Sequence, residues 1–308
     1  MSLHVFANIV TPFGTAANNR AETDGNITTL QKLVWQGQPH STVSAEAIRF
    51  ALRRLLAALE KEGTNRSWDE GERANTWQDH AFKGWTKDNG KTFIDDDLLG
   101  FMSAEAGKEE GEAGTANVRR AVLEVTRAIS LTPWPGDVTF NAASPGATPS
   151  AAKKGSNPVP YGTEVHATRY QFGLALTPER LREKARAAKA IRAFGDLRTV
   201  AGNHGRFLFD FAPESIALRV TDDPAPRLLY CFETEDSGKT VAAPALVRHI
   251  KAGDIKPEEL VVGGPIASAD FLTGKELREA GVGSLHEGVK AALAEACQRI
   301  NEKLSLEG

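Results

Sequence analysis

The chain has 308 residues, 41% hydrophobic and 25% charged, which excludes wholesale disorder and permits a sizeable core without disulfide staples. Lysine and arginine number 37 against 40 aspartates and glutamates, a net charge of −3, and that total disfavours a phosphate-bearing partner. The two cysteines, Cys231 and Cys297, form no Cys-x-x-Cys pair, no basic segment precedes a long apolar run at the start, and no stretch reaches the ~20 apolar residues of a membrane helix. We therefore expect a soluble cytoplasmic protein with no membrane partner.

His4 to Val10 is a short apolar run ending at Pro12 and Gly14, which predicts a first strand. An Asn- and Gly-rich loop follows from Thr15 to Thr28. A helix is then expected, with Ser41, Thr42 and Ser44 as candidate caps and Ile48, Leu52, Leu55, Leu56 and Leu59 at helical spacing, stopped by Gly63. Residues 60–117 change character, holding three of the five tryptophans, many charges and Gly-rich breaks. They predict a mostly helical and loop insertion. Within them, Asp95-Asp96-Asp97 fits either a Mg²⁺ site or the start of a helix, where carboxylates are favoured, and the second reading is preferred.

Val118 to Leu131 returns to strand character, and Asn141 to Gly162, rich in Pro, Gly, Ala and Ser, predicts a projecting loop or hairpin. Tyr170, Phe172, Leu174 and Leu176 alternate with Arg169, Gln171, Gly173 and Ala175, a strand with one apolar face. Pro178 opens a second helix whose buried stripe is Leu181, Ala185, Ala188 and Ile191. Phe207–Phe211 and Ile216–Val220 are further expected strands, and an amphipathic helix runs from about Leu285 to Leu304. Without the insertions the order is strand, helix, strand, strand, helix, strand. That is the ferredoxin-like order, the framework of RNA-recognition motifs, in an α+β chain.

The seven histidines make no His-x-x-x-His or Cys/His cluster, so no metal site or cofactor is expected. No nucleophile elbow, Walker loop or dinucleotide fingerprint is present, so no catalytic residue is assigned. Asp24 admits two readings: a carboxylate that positions a metal for RNA cleavage, or the first residue of an Asp24-Gly25 turn, which is preferred. Gly202-Asn203-His204-Gly205-Arg206 offers backbone amides and a cation to a phosphate, or simply a tight turn. His166 and Arg169, three apart on one strand, are expected to face opposite sides. Arg49 and Arg53 share a helix face, either solvated or gripping a backbone.

Several segments together resemble one family. Asn19-Arg20-Ala21-Glu22-Thr23-Asp24-Gly25-Asn26 through Leu33, and His40-Ser41-Thr42-Val43-Ser44-Ala45-Glu46-Ala47-Ile48-Arg49, resemble the DevR-type backbone subunit of CRISPR type I Cascade complexes, a branch of the RAMP superfamily. So do Asp95 to Met102, Thr163 to Tyr170 and Ala201 to Arg206. The resemblance runs in family order from about residue 4 to residue 220. It implies a non-catalytic subunit that coats CRISPR RNA as a helical filament of about six copies, the head-to-tail geometry of an interface that does not close on itself. It also implies pairing of the guide with target DNA, a small RAMP subunit capping the 5′ end of the RNA, and a large subunit. The family fold implies an RNA-recognition-motif-like palm over 1–59 and 118–308, helical fingers over 60–117 and a β-hairpin thumb over 141–163.

On this reading the RNA-binding residues are Asn19, Arg20, Gln31, Lys32, His40, Ser41, Thr42, Ser44, Arg49, Arg53, Lys153, Lys154, His166, Arg169, Asn203, His204 and Arg206. Cations neutralise phosphates and uncharged donors hydrogen-bond them, without reading sequence. The alternative is a metal-dependent endoribonuclease using Asp24, as in the related type III complexes. The charge also separates along the chain. Residues 60–117 carry 7 basic and 14 acidic groups, residues 118–210 the reverse, 14 and 7. The near-neutral total thus conceals a basic palm and thumb.

Overall fold

In the computed structural model, residues 2–17, 23–86, 90–105, 115–146, 158–200 and 208–306 are described. Their largest sheet has nine strands. At its centre His4–Val10 lies between Tyr170–Leu176 and Ser215–Thr221, antiparallel to both. Leu123–Val125 and Ala128–Ser130 extend the sheet from Tyr170–Leu176. Gln38–Val43 and then Lys32–Trp35 continue it to one edge, while Leu260–Gly263 and Leu285–His286 form the other.

The helices Ala45–Leu56, Arg186–Ala193 and Val289–Lys303 cover one face. Val5, Ala7 and Ile9 point into that layer beside Phe172, Leu174, Ile48, Leu52, Ile191, Leu293 and Ile300, as alternation along a strand requires. Phe6 and Val10 point the other way, into a second apolar layer with Phe232, Leu246, Val247, Ile250 and Val262. The helices Pro244–Lys251 and Leu272–Glu279 belong to that layer. The central strands are therefore buried on both faces.

This changes the expectation for Tyr170–Leu176. Its polar alternate, Gln171, does not meet water: its Nε2 donates to the Phe232 carbonyl at 2.9 Å, and its Oε1 accepts from Asn8 at 3.0 Å. Gly173 fits the same contact, because a Cβ there would stand 2.4 Å from Leu229 Cδ2. A second sheet joins Val138–Ala143 to the long strand Val159–Thr168, which pairs further with Gly14–Ala17 and with the small hairpin Thr23–Asp24/Ile27–Thr28. Among the described residues no helix is long and apolar enough to cross a membrane.

Other expectations are corrected. Ser41 and Thr42 are strand residues; Ser44 alone caps the helix, accepting from the Ala47 amide at 3.2 Å. The helix ends at Leu56, short of Gly63. The described part of 60–117 is mainly strand and loop, because Trp68 and Trp77 occupy the hairpin Arg66–Asp69/Ala74–Trp77 and a second hairpin joins Phe101–Glu105 to Thr115–Arg119. Its one α-helix among the described residues is Ile94–Leu99. Pro178 opens a single 3-10 turn, and the α-helix starts only at Arg186. Residues 208–211 form no strand; Phe209 and Phe211 are packed on Tyr170 instead.

Candidate nucleic-acid interface

The edge hairpin Lys32–Trp35/Gln38–Val43 carries a buried polar layer beneath an exposed one. In the buried layer, the Ser41 hydroxyl lies 2.6 Å from His166 Nδ1 and 2.7 Å from the Tyr170 hydroxyl. His166 Nε2 reaches Thr132 Oγ1 at 3.2 Å, and that hydroxyl meets Thr168 at 2.7 Å. His40 Nδ1 lies 2.7 Å from the Ser130 carbonyl. Burial pushes His166 down to about 4, so its imidazole is neutral, and pushes the Tyr170 phenol up. These side chains fix the hairpin against the Val159–Thr168 strand; a fully satisfied buried network of this kind rigidifies its surroundings.

The exposed layer draws on separate segments. Arg127, from the turn between Leu123–Val125 and Ala128–Ser130, donates to Gln31 Oε1 at 3.3 Å and to Thr42 Oγ1 at 3.1 Å. Lys32 pairs with Glu164, and its ammonium sits 4.0 Å from the Trp134 ring centroid. Glu164 also accepts from the Leu30 amide at 2.7 Å. The Trp35 and Tyr230 rings lie 5.3 Å apart, and the Tyr230 hydroxyl donates to the Arg127 carbonyl at 2.9 Å. The hairpin thus presents the Lys32 ammonium over Trp134 on one face and the Gln31 amide with the Arg127 guanidinium on the other, chemistry suited to phosphate and ribose rather than to reading base sequence.

The other predicted cations are engaged inside the protein. Arg169 stands at the break between Val159–Thr168 and Tyr170–Leu176, so it does not share a strand with His166. It is buried, paired with Glu214, and donates to the carbonyls of Gly238 at 3.1 Å and Thr11 at 3.2 Å. Arg49 donates to the Leu99 carbonyl, and Arg53 Nε lies 3.2 Å from Asp95.

Asp95, Asp96 and Asp97 are all buried in the first turn of the Ile94–Leu99 helix. They do not cap that helix but tie separate segments together. Asp95 accepts from the Asn65 amide at 2.7 Å, and Asp97 meets Arg119 at 2.6 Å and Arg186 at 3.0 Å. Burial, followed by the neighbouring Asp95 charge, raises Asp96 to about 7. Among the described residues no group of His, Cys, Asp or Glu is arranged to hold a metal ion. Asp24 is an exposed strand residue paired with Ile27, just before the two-residue turn Gly25-Asn26, in which Gly25 has φ +59°, the left-handed conformation glycine adopts at no steric cost. Asn19, Arg20, Lys153, Lys154, Asn203, His204 and Arg206 lie outside the described residues.

Sequence reasoning missed Arg127, Trp35 and Tyr230. The only local signal for Arg127 was a cation between two short strand-like runs, and its meeting with Gln31 requires the sheet.

Residues 11–228 match the family profile described as "CRISPR-associated negative auto-regulator DevR/Csa2". The chain belongs to the DevR/Csa2 family. This DevR/Csa2 member is 63% identical over 302 residues to the "CRISPR-associated protein Cas7/Cst2/DevR" of Myxococcus xanthus (strain DK1622), covering 97% of this chain and 98% of that one. Its fold is similar to a chain of a solved "CRISPR RNA-guided surveillance complex", with TM-score 0.56, 14% identity and coverage of 97% of this chain and 99% of the other. A chain of a "CRISPR RNA-guided surveillance complex, pre-nicking" matches with TM-score 0.53 and 13% identity, covering 97% of this chain and all of that one, at 100%. The DevR family resemblance in the sequence is thereby borne out.

Proposed function

We propose that this DevR/Csa2 protein is a non-catalytic guide-RNA-binding backbone subunit of a type I CRISPR surveillance complex, working in the cytoplasm. Full-length similarity to a Cas7/Cst2/DevR protein and a fold shared with surveillance-complex chains support the reading. The observation that carries it is the exposed edge hairpin, with Lys32 on one face and Gln31 with Arg127 on the other, over a buried, hydrogen-bonded base. Arg49, Arg53 and Arg169 lie apart from that hairpin, and the buried His40, Ser41 and His166 act as positioning residues.

The palm reading rests on strand order. Ser215–Thr221, His4–Val10, Tyr170–Leu176 and Leu123–Val125 lie side by side and antiparallel, with Ala45–Leu56 and Arg186–Ala193 on one face. This order supports reading 1–59 and 118–308 as an RNA-recognition-motif-like palm, with 60–117 proposed as fingers and 141–163 as thumb. The face that such motifs use for base stacking is here covered by the second apolar layer. RNA is therefore held at the sheet's edge through its backbone, which leaves bases free to pair with target DNA.

The outward face of the Val138–Ala143 strand is apolar, with Phe140 80% exposed. A neighbouring copy in a filament of about six copies would cover it, as heterologous contacts do. A 5′-capping small RAMP subunit and a large subunit complete the proposed assembly.

Lys32→Ala combined with Arg127→Ala is expected to weaken RNA binding equally for unrelated spacers and to flatten the slope of log affinity against log salt by about 2. Filter binding at several salt concentrations checks this, and an unchanged slope sinks the assignment. The same preparations with Mg²⁺ and complementary RNA are expected to leave it intact; regular cuts abolished by Asp24→Ala would reinstate the endoribonuclease.

A further inference from the structure

A cleft of about 290 Å³ separates the outer face of the Ala45–Leu56 helix from the Arg66–Asp69/Ala74–Trp77 hairpin. Phe50, Arg53, Arg54 and Ala57 line its helical wall, at the spacing that places residues on one helix face, and Arg66 and Trp68 stand on the hairpin wall. The floor is fixed. Asp95 binds Arg53 and accepts from the backbone amides of Asn65 and Arg66, at 2.7 and 3.2 Å, stitching the hairpin's start to the helix.

Two features of the cleft stand incomplete. Phe50 and Trp68 meet edge to face at 6.5 Å, yet each remains more than a third exposed, at 38% and 37%. Their rings offer flat apolar area of the kind a nucleobase stacks on. The charge is also unbalanced. The guanidiniums of Arg54 and Arg66 make no hydrogen bond or ion pair among the described residues, and Glu70 is the one carboxylate in the lining. Arg66 also acts on its neighbours: with burial first, its charge pushes Arg49 and Arg53 below the usual guanidinium range. Crowded like charges are relieved when an anion enters between them.

We propose that this cleft binds one nucleotide unit, its base against Phe50 and Trp68 and its phosphate between Arg54 and Arg66. The unit comes from a free nucleotide or from a strand, since both present the same base-plus-phosphate chemistry. The site shares no residue with the set Gln31, Lys32 and Arg127.

Calorimetric titration of the full chain with adenosine 5′-monophosphate, adenosine and orthophosphate tests the proposal. The monophosphate is expected to bind saturably and at least tenfold more tightly than either fragment, about the discrimination that 1.4 kcal/mol supplies. Arg54→Glu and Trp68→Ala, both partly exposed positions, should each raise its Kd at least tenfold while circular dichroism stays unchanged. Absent saturation, orthophosphate binding as tightly as the monophosphate, or full affinity in Arg54→Glu overturns the site. Saturating single-stranded RNA that displaces the monophosphate assigns the unit to a strand; joint binding assigns it to a free nucleotide, and either result upholds the shared chemistry. The Lys32→Ala/Arg127→Ala variant should keep its monophosphate affinity, which separates failure of the guide-RNA surface from failure of the cleft.

Discussion

Asp96 shows how one buried side chain writes a pH dependence into the fold. Its carboxyl is held at about 7 against an ordinary 3.8, first by burial and then by Asp95. Between those values the folded state binds the proton more tightly than the unfolded chain does. This contribution to stability is complete below about 3.8 and is lost as pH rises through 7. His166 works oppositely: held at about 4 against 6.5, it costs stability as pH falls through that interval. Asp96→Asn removes only the first effect, and the new amide still offers Asn65 an acceptor for the 2.9 Å hydrogen bond. We expect it to gain on the order of 1–3 kcal/mol over the parent at pH 8 relative to pH 5, by urea denaturation at both values. Equal differences at both pH values would contradict the assignment. The run Asp95-Asp96-Asp97 was legible as remarkable charge but not as burial, because the partners Asn65, Arg119 and Arg186 come from distant segments.

At the scale of elements, strands with strong local alternation were legible. His4–Val10 and Ser215–Thr221 lie within a residue or two of their expected bounds, and Tyr170–Leu176 starts where its aromatic alternation does. The helix from Ala45 was legible through its apolar spacing, but its cap was ambiguous because Ser41, Thr42 and Ser44 are all competent residues. Tertiary pairing with Ala128–Ser130 decided the matter by drawing Thr42 into a strand. Ser44→Ala should therefore cost about 1 kcal/mol, while Ser44→Asp retains most of it, in thermal unfolding. A loss of similar size from Thr42→Ala through helix fraying would count against Ser44 as the sole cap. The hairpins of 60–117 were illegible for a different reason. Trp68 and Trp77 sit on short, half-exposed strands whose alternation is weak, and composition alone favoured helix.

Across the whole molecule, the least legible feature was the covering of the sheet's second face. The alternation of Tyr170–Leu176 predicts one wet face, yet Asn8 and Gln171 are satisfied there by each other and by the Phe232 carbonyl. Hydrogen bonding to a later segment replaces water, and nothing local to the strand announces it. The cover contributes as a core does: Leu246, 1% exposed, should lose about 2–5 kcal/mol on replacement by Ala, read in denaturant unfolding. A loss below about 0.5 kcal/mol would mean that the second layer is only loosely docked. The candidate surface was half legible. Gln31 and Lys32 stood out by type and neighbourhood, whereas Arg127 joins Gln31 only once the sheet has brought the turn after Leu123–Val125 alongside.

The position of His4–Val10 also has a consequence in time. During synthesis this strand emerges long before its partners, Tyr170–Leu176 and Ser215–Thr221. At ~5–20 residues per second, its second partner arrives roughly ten to forty seconds after it does. Until then a run as apolar as Val5 to Val10 waits without its sheet, the kind of segment chaperones retain. The edge hairpin Lys32–Trp35/Gln38–Val43 needs only Ala128–Ser130, His166 and Tyr170, so its partners are present before those of the sheet's centre are complete.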